Sequence, residues 1–317
     1  MSDSTFRAVI LIILDKGYLE IDLEYYTAER KIPVSPVIFE ILRDVEGIPV
    51  EYFYLRDSIR VESQLYTADS LGGFAIVRDD VNLAFGIASP TGTILDKEYF
   101  VINHNDSWKI PYWVGYYLTD SSLAGTVQRS NDFRPDPELP EGLRAELIDY
   151  RGSGYDRGHN APAAAFKRSR EAMSTTFLLS NMSPQTPRLN RRIWRVLEEQ
   201  VRDLVYNEGK AWVLTGNIFL SPASQPSPPS EYIGTDLVAV PSHCFKAILS
   251  LNEDGGYAAY AFLIPNQKSA IPGATTDYLI LIDDLEDITG YDFFPDLDDE
   301  IENQIEAMLP MNWPPGE

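Results

Sequence analysis

The chain is poor in the residues that build cross-links and metal cages. One cysteine, Cys244, and three histidines occur in 317 residues. A lone thiol closes no internal disulfide, and so small a Cys/His set cannot assemble a structural zinc site. A reducing compartment, the cytoplasm, is the simplest setting for such a chain, with secretion without disulfides as the alternative. Long apolar runs are missing as well: nothing approaches the roughly 18 residues of a membrane-spanning helix. The best candidate, Phe6 to Leu14, is closed by Asp15 and Lys16 without a small-residue cleavage site, so the sequence reads as soluble and without an export signal. Positive charge is scarce: 26 Lys and Arg face 48 Asp and Glu, a formal net charge of −22. Taken alone, that balance argues against a nucleic-acid partner, because phosphates are held by basic patches. Apolar residues are present in ordinary amount. At 44% hydrophobic and 23% charged, the composition is that of a globular protein of one or two domains and excludes disorder and collagen-like repeats.

The shortage of positive charge is uneven. From Arg151 to Arg202, ten basic residues meet four acidic ones, a local +6 in a chain whose remainder carries −28. That window is built to face an anion. Beyond Ile271 the balance reverses, with thirteen acidic residues and no Lys or Arg, which reads as a solvated, self-repelling surface.

No internal repeat is visible, and the one biased segment, Ser221 to Ser230 (SPASQPSPPS), has prolines that confine it to an exposed loop. Apolar runs at Ala8–Leu14, Val34–Leu42 and Val50–Leu55 suggest a small mixed α/β accessory unit over residues 1–82. From Leu83 to the C-terminus the texture changes to short strand-like runs: Phe85–Ala88, Tyr99–Ile102, Trp113–Leu118, Ala211–Leu214, His243–Leu251 and Tyr257–Ile264. Leu189 to Tyr206 predicts a helix, since Ile193, Val196, Leu197, Val201 and Leu204 recur at helical spacing and Gly209 stands beyond as a stop. A closing helix is expected at Ile301–Met308. Strands and helices alternate without a βαβ rhythm, which favours an α+β fold with a central mixed or antiparallel sheet flanked by helices.

Chemistry concentrates in the basic window. His159 lies in Gly154-Tyr155-Asp156-Arg157-Gly158-His159-Asn160, where a base able to work near neutral pH stands beside a guanidinium that never loses its proton. Further along come Asn181, Asn190 at the start of the predicted helix, and Glu198 and Arg202 on it, four residues apart and so neighbours on one face. By itself the Glu198/Arg202 pair is also what a surface ion pair looks like. An amide oxygen is a neutral hard ligand suited to a hydrated Mg²⁺ whose remaining charge balance comes from a phosphate. His104 and His243 read as structural, and Cys244 as a buried small hydrophobe.

Together the runs Tyr155-Asp156-Arg157-Gly158-His159, Leu179-Ser180-Asn181-Met182-Ser183-Pro184-Gln185 and Leu189-Asn190-Arg191-Arg192-Ile193-Trp194, followed by Glu198 and Arg202, closely resemble the DNA/RNA non-specific endonuclease family, the ββα-metal or His-Me finger nucleases. The resemblance runs from about Leu83 to the C-terminus and leaves residues 1–82 uncovered. It implies a metal-dependent endonuclease cleaving DNA and RNA to 5′-phosphate products. In that reading His159 is the general base and Asn190 holds one Mg²⁺, with Mn²⁺ able to substitute. Arg129, Arg157 and Arg202 contact the phosphate, Glu198 orders the metal's water shell, and Asn181 orients the site. Asp156 reads as shaping the turn. Departures from the family pattern at Asn160 and Asn217 touch substrate fit at most. The resemblance also suggests a homodimer. The additional unit at residues 1–82 invites a regulatory partner, as in a defence or toxin effector. The alternative is a catalytically idle protein whose acidic surface mimics nucleic acid or binds a partner; the complete set of His159, Asn190 and Glu198 argues against it.

Overall fold

The computed structural model describes residues 5–14, 17–26, 81–86, 88, 92–251, 255–309 and 313. The chain divides into two compact units, Met1–Arg78 and Asp79–Glu317. In the first, β1 (Thr5–Leu14) pairs antiparallel with β2 (Gly17–Tyr26), from Thr5 opposite Tyr26 to Leu14 opposite Gly17, so the Ala8–Leu14 run is a strand. The runs Val34–Leu42 and Val50–Leu55, which carried the rest of the α/β expectation, lie outside the described residues.

The second unit is organised by seven strands: β3 (Thr93–Asp96), β4 (Val101–Asn105), β5 (Ile110–Thr119), β8 (Lys210–Ile218), β11 (His243–Leu251), β12 (Tyr257–Pro265) and β13 (Leu279–Ile280). Their order across the sheet is β13-β12-β11-β8-β5-β4-β3, and every neighbouring pair is antiparallel. Of the two sheet types expected, the antiparallel one is therefore present. Two short pairs stand apart from it: β6 (Asp156–His159) with β7 (Met182–Gln185), and β9 (Tyr232–Ile233) with β10 (Val238–Ala239). Short helices α1 (Asp120–Leu123), α2 (Leu147–Tyr150) and α3 (Arg170–Thr175) connect strands, while α4 (Trp194–Glu208), α5 (Ile282–Thr289) and α6 (Asp299–Ile305) cover the sheet. Among the described residues no helix is long and apolar enough to cross a membrane.

Both faces of the sheet are buried, which explains why its central strands read as nearly continuous apolar runs. Side chains alternate across the pleat. Val213 and Ile248 join Tyr116 in a cluster with Trp194, Leu197, Val201 and Leu204 of α4, whereas Leu214, Ala247 and Leu249 join a second cluster with Ile282 and Leu285 of α5 and with Phe293 and Leu297. The result is three layers, α4 on one face and α5 with its following turn on the other.

Several sequence expectations shift in detail, among them the closing helix, which spans Asp299–Ile305 and not Ile301–Met308. Phe85–Ala88 is not a strand: Phe85 lies in a turn, and Gly86 takes φ +90° with its N–H donated back to the Leu83 carbonyl at 3.0 Å. The helix predicted from Leu189 begins as a π-turn, Leu189–Ile193, in which the Trp194 N–H reaches the Leu189 carbonyl five residues back, and becomes α-helical only from Trp194. Gly209 ends it as expected, at φ 94° with its N–H on the Val205 carbonyl at 2.8 Å.

Candidate active site

The β6–β7 hairpin and the start of α4 bring the predicted residues together. Gly158 is needed because a Cβ there would lie 2.3 Å from the Gln185 side chain across the hairpin. His159 sits opposite Met182 at the end of β6, and the chain leaving it is clamped by Asn181. The Asn181 side chain accepts from the Ala161 N–H at 2.9 Å and donates to the carbonyls of Ala161 at 3.0 Å and Thr176 at 2.9 Å. Its own carbonyl accepts from the Asn160 backbone and side chain, both at 3.0 Å. With 0% exposure and its amide engaged on both sides, Asn181 fixes the pose of His159 and touches no solvent.

The imidazole is boxed by two rings, Phe177 edge-on at 4.9 Å and Phe133 at 5.7 Å. The same rings carry two guanidinium groups: Arg129 lies 4.8 Å over Phe177, and Arg157 lies 4.0 Å over Phe133. Stacking uses the face of a guanidinium and leaves N–H edges for an anion. The loop bearing Arg129 and Phe133 is tied down by backbone bonds from Arg134 N–H to Phe177 carbonyl at 3.2 Å and from Leu179 N–H to Arg134 carbonyl at 2.9 Å. Burial, and then the charges of Arg129 and Arg157, push the His159 pKa down to about 3. The ring is therefore neutral at ordinary pH, and its Nε2 is sealed in the aromatic box without a hydrogen-bond partner.

On the helix side, the Asn190 amide donates to Asp156 Oδ2 at 3.0 Å. A carboxylate only accepts, so the amide nitrogen must face Asp156 and Oδ1 is turned the other way. Asp156 also takes a two-pronged bond from Arg191, 2.7 Å from Nε and 2.6 Å from Nη2. Burial raises the Asp156 pKa, but the bonds from Arg191 and Asn190 and the charges of Arg191 and Arg157 outweigh it, and the net shift is downward. This donor set fits the hydrated divalent ion implied by the resemblance: one fixed neutral oxygen, beside a carboxylate that stays ionised.

Glu198 is partly buried, and desolvation raises its pKa against the opposing charges of Lys246, Arg202 and Arg129. Arg202 does not form the surface ion pair its spacing allows; Nη1 donates to the Glu198 carbonyl at 2.9 Å. Lys246 is 0% exposed, donates to Tyr116 Oη at 3.1 Å and to Thr215 Oγ1, and lies 5.0 Å over the Trp194 ring. Its burial pulls its pKa down, while the Glu198 charge opposes that shift.

A family model, DNA/RNA non-specific endonuclease, matches residues 79–300. The chain belongs to that family. A nuclease from Syncephalastrum racemosum is 38% identical over 68% of this chain and 72% of its own length. Nuclease C1 from Cunninghamella echinulata is 37% identical over 68% of this chain and 88% of its own. Among solved structures, EndoG in complex with EndoGI, described as showing the mechanism of EndoG inhibition, is similar at a TM-score of 0.64 and 29% identity, covering 68% of this chain and 91% of that one.

Within this endonuclease the residues predicted from sequence fall into two connected groups. His159, Arg157 and Arg129 share the Phe133/Phe177 box, and Asn190 begins the helix that carries Glu198 and Arg202. Asp156 joins the groups through Asn190, a role beyond shaping the turn. Asn160 and Asn217 are not at a substrate surface: the first, 1% exposed, donates to Ser183 Oγ at 2.9 Å, and the second, 4% exposed, donates to the Pro111 carbonyl at 2.8 Å. Sequence reasoning missed Phe133, Phe177 and Lys246. The aromatic pair left no local signal, whereas an acid in β6 facing an arginine-rich helix start was a legible hint for Asp156.

Proposed function

We propose that this endonuclease hydrolyses phosphodiester bonds of DNA and RNA without regard to the sugar, needs Mg²⁺ or Mn²⁺, leaves 5′-phosphates, and uses His159 as its base. The observation that carries the reading is the neutral imidazole of His159 held between two guanidinium groups. With Nε2 buried and without a hydrogen-bond partner, Nδ1 is the ring nitrogen left to offer a lone pair to a water molecule. Arg157 and Arg129 hold the phosphate beside that water, and Arg202 adds charge from the helix. Asn190 Oδ1 would hold the metal ion, and Glu198 would order the water around it. When bound, the ion supplies charge neutralisation at the phosphate and the leaving 3′ oxygen.

Supercoiled plasmid and single-stranded RNA, incubated with Mg²⁺, Mn²⁺ or EDTA beside His159→Ala, test this. Degradation of both substrates with either metal, and none in EDTA or in the variant, is expected. No cleavage under any metal would point to the catalytically idle alternative or to a nuclease held off through residues 1–82, and the same assay on a chain without those residues separates the two. Asp156 offers a finer check, because a group that orients a ligand typically sets metal affinity by about 10–100-fold. Asp156→Ala is expected to raise the Mg²⁺ concentration for half-maximal cleavage by that factor with little change at saturating Mg²⁺; an unchanged Mg²⁺ profile removes Asp156 from the site.

Residues 1–82 are proposed as a module through which a regulatory partner restrains or targets the nuclease, in a cytoplasmic homodimer. Support comes from a first compact unit, Met1–Arg78, that the family match does not include. If a chain lacking it keeps the same activity, specificity and oligomeric state by light scattering, the proposal fails.

A further inference from the structure

The face of the sheet away from α4 carries a cluster that the nuclease reaction does not use. Asp283 and Glu286 lie three residues apart on α5, hence on one side of that helix, and Glu306 follows α6. One carboxylate oxygen from each converges, all within 4.8 Å of one another. Glu286 is held in place by the Phe293 N–H, which donates to its Oε1 at 2.7 Å. Glu306 is only 7% exposed, and its Oε1 is buried with no hydrogen-bond partner. Buried carboxylate oxygens are ordinarily paired, and one aimed into a group of like charges asks for a counter-ion. The sequence supplies none nearby along the chain, since no Lys or Arg occurs after Ile271.

We propose that Asp283, Glu286 and Glu306 form a second cation site, independent of Asn190, that takes Ca²⁺ and ties α5 to the C-terminal helix. Three hard anionic oxygens without sulfur or imidazole select calcium or magnesium over transition metals. Mg²⁺ demands near-ideal octahedral geometry and keeps most of its waters, whereas Ca²⁺ accepts several side-chain carboxylates in a flexible arrangement, so a cluster of three carboxylates favours Ca²⁺. The remaining coordination positions are open to water on the Asp283 side, which is exposed.

A proton is the competitor. Burial first, then the charges of Glu286, Glu302, Asp283 and Asp292, lift the Glu306 carboxyl to about 8 when no ion is present.

Thermal unfolding of the full chain in EDTA and in saturating Ca²⁺ at pH 8, with calorimetric titration of Ca²⁺, tests the site. Wild type and Asn190→Ala are both expected to gain roughly 5–10 °C. Glu306→Gln should gain nothing and bind one fewer Ca²⁺ per chain. Should Glu306→Gln fold poorly, the exposed Asp283→Asn serves in its place and is expected to weaken Ca²⁺ binding at least tenfold. The same gain in Glu306→Gln, loss of the gain in Asn190→Ala, or no gain in wild type would each overturn the proposal. A wild type indifferent to Ca²⁺ whose EDTA stability Glu306→Gln improves means a protonated carboxyl and nothing more.

Discussion

His159→Ala is expected to cut cleavage of plasmid DNA by about 10²–10⁴-fold, the usual range for losing a positioned general base, while nucleic-acid affinity stays within a few-fold of wild type. The reason for the split is structural. Arg129 and Arg157 rest on Phe177 and Phe133, not on the imidazole, so the anion-binding edges outlast removal of the ring. Initial rates of plasmid nicking, set beside fluorescence anisotropy on uncleavable oligonucleotide, read the two effects separately. The same substitution carries a stability signature whose sign follows from the lowered pKa. Folded His159 binds a proton only near pH 3, whereas the unfolded residue does so near 6.5. The unfolded chain thus holds more protons across that window, and native stability falls as pH drops below about 6.5, by up to about 1.4 kcal/mol per pH unit for one full proton. His159→Ala should flatten that slope in urea melts at pH 7, 5.5 and 4. Matching slopes would mean that the imidazole is not buried as a neutral ring; wild-type cleavage rates would remove it from the chemistry.

Asn190→Ala should lose on the order of 10²–10³-fold at ordinary Mg²⁺, since a metal ion contributes several kcal/mol to stabilising phosphate charge. Unlike the histidine variant, it should lose measurable Mg²⁺ binding as well. Asn190→Asp is the more informative change. An isolated carboxylate is a better metal ligand than an amide, yet here it is expected to fail. The amide N–H of Asn190 is what Asp156 accepts at 3.0 Å, and two carboxylates at that distance repel and leave the ligand unoriented. Adding Asp156→Asn to Asn190→Asp restores a donor and should recover part of the rate. Should Asn190→Asp alone match wild type in Mg²⁺ titrations of cleavage, the Asp156 contact has no part in positioning the ligand.

The parts of the fold that were legible in the sequence are those in which local pattern and tertiary burial agree. Lys210–Ile218, His243–Leu251 and Tyr257–Pro265 are β-rich runs buried on both faces, and α4 buries Trp194, Leu197, Val201 and Leu204 at helical spacing. Phe85–Ala88 had the same texture but not the context, because the positive φ of Gly86 turns the chain back before a ladder can form. In the site, the motif residues were readable as motifs, whereas what holds them was not. Phe177 and Phe133 act across separations that carry no periodic signal, and the bond from Asn190 to Asp156 joins positions 34 residues apart. Lys246 occupies a strand position that alternation marks as interior, and its charge is accounted for by Glu198 and the Trp194 ring beside it, both distant in sequence.

The π-turn at Leu189–Ile193 gives the distance between Asn190 and Glu198 its meaning. Two turns of a regular α-helix take about seven residues, so a face repeats at that interval, not at eight. An extra residue looped into one turn absorbs the surplus, and the helix recovers its phase before reaching Glu198. The angular setting of the metal ligand relative to the acid is thus written into backbone hydrogen-bond register. Side-chain substitution alone cannot retune it; deleting one residue between Asn190 and Glu198 would straighten the helix and, at seven residues, keep both groups on one face, whereas inserting one would swing them apart.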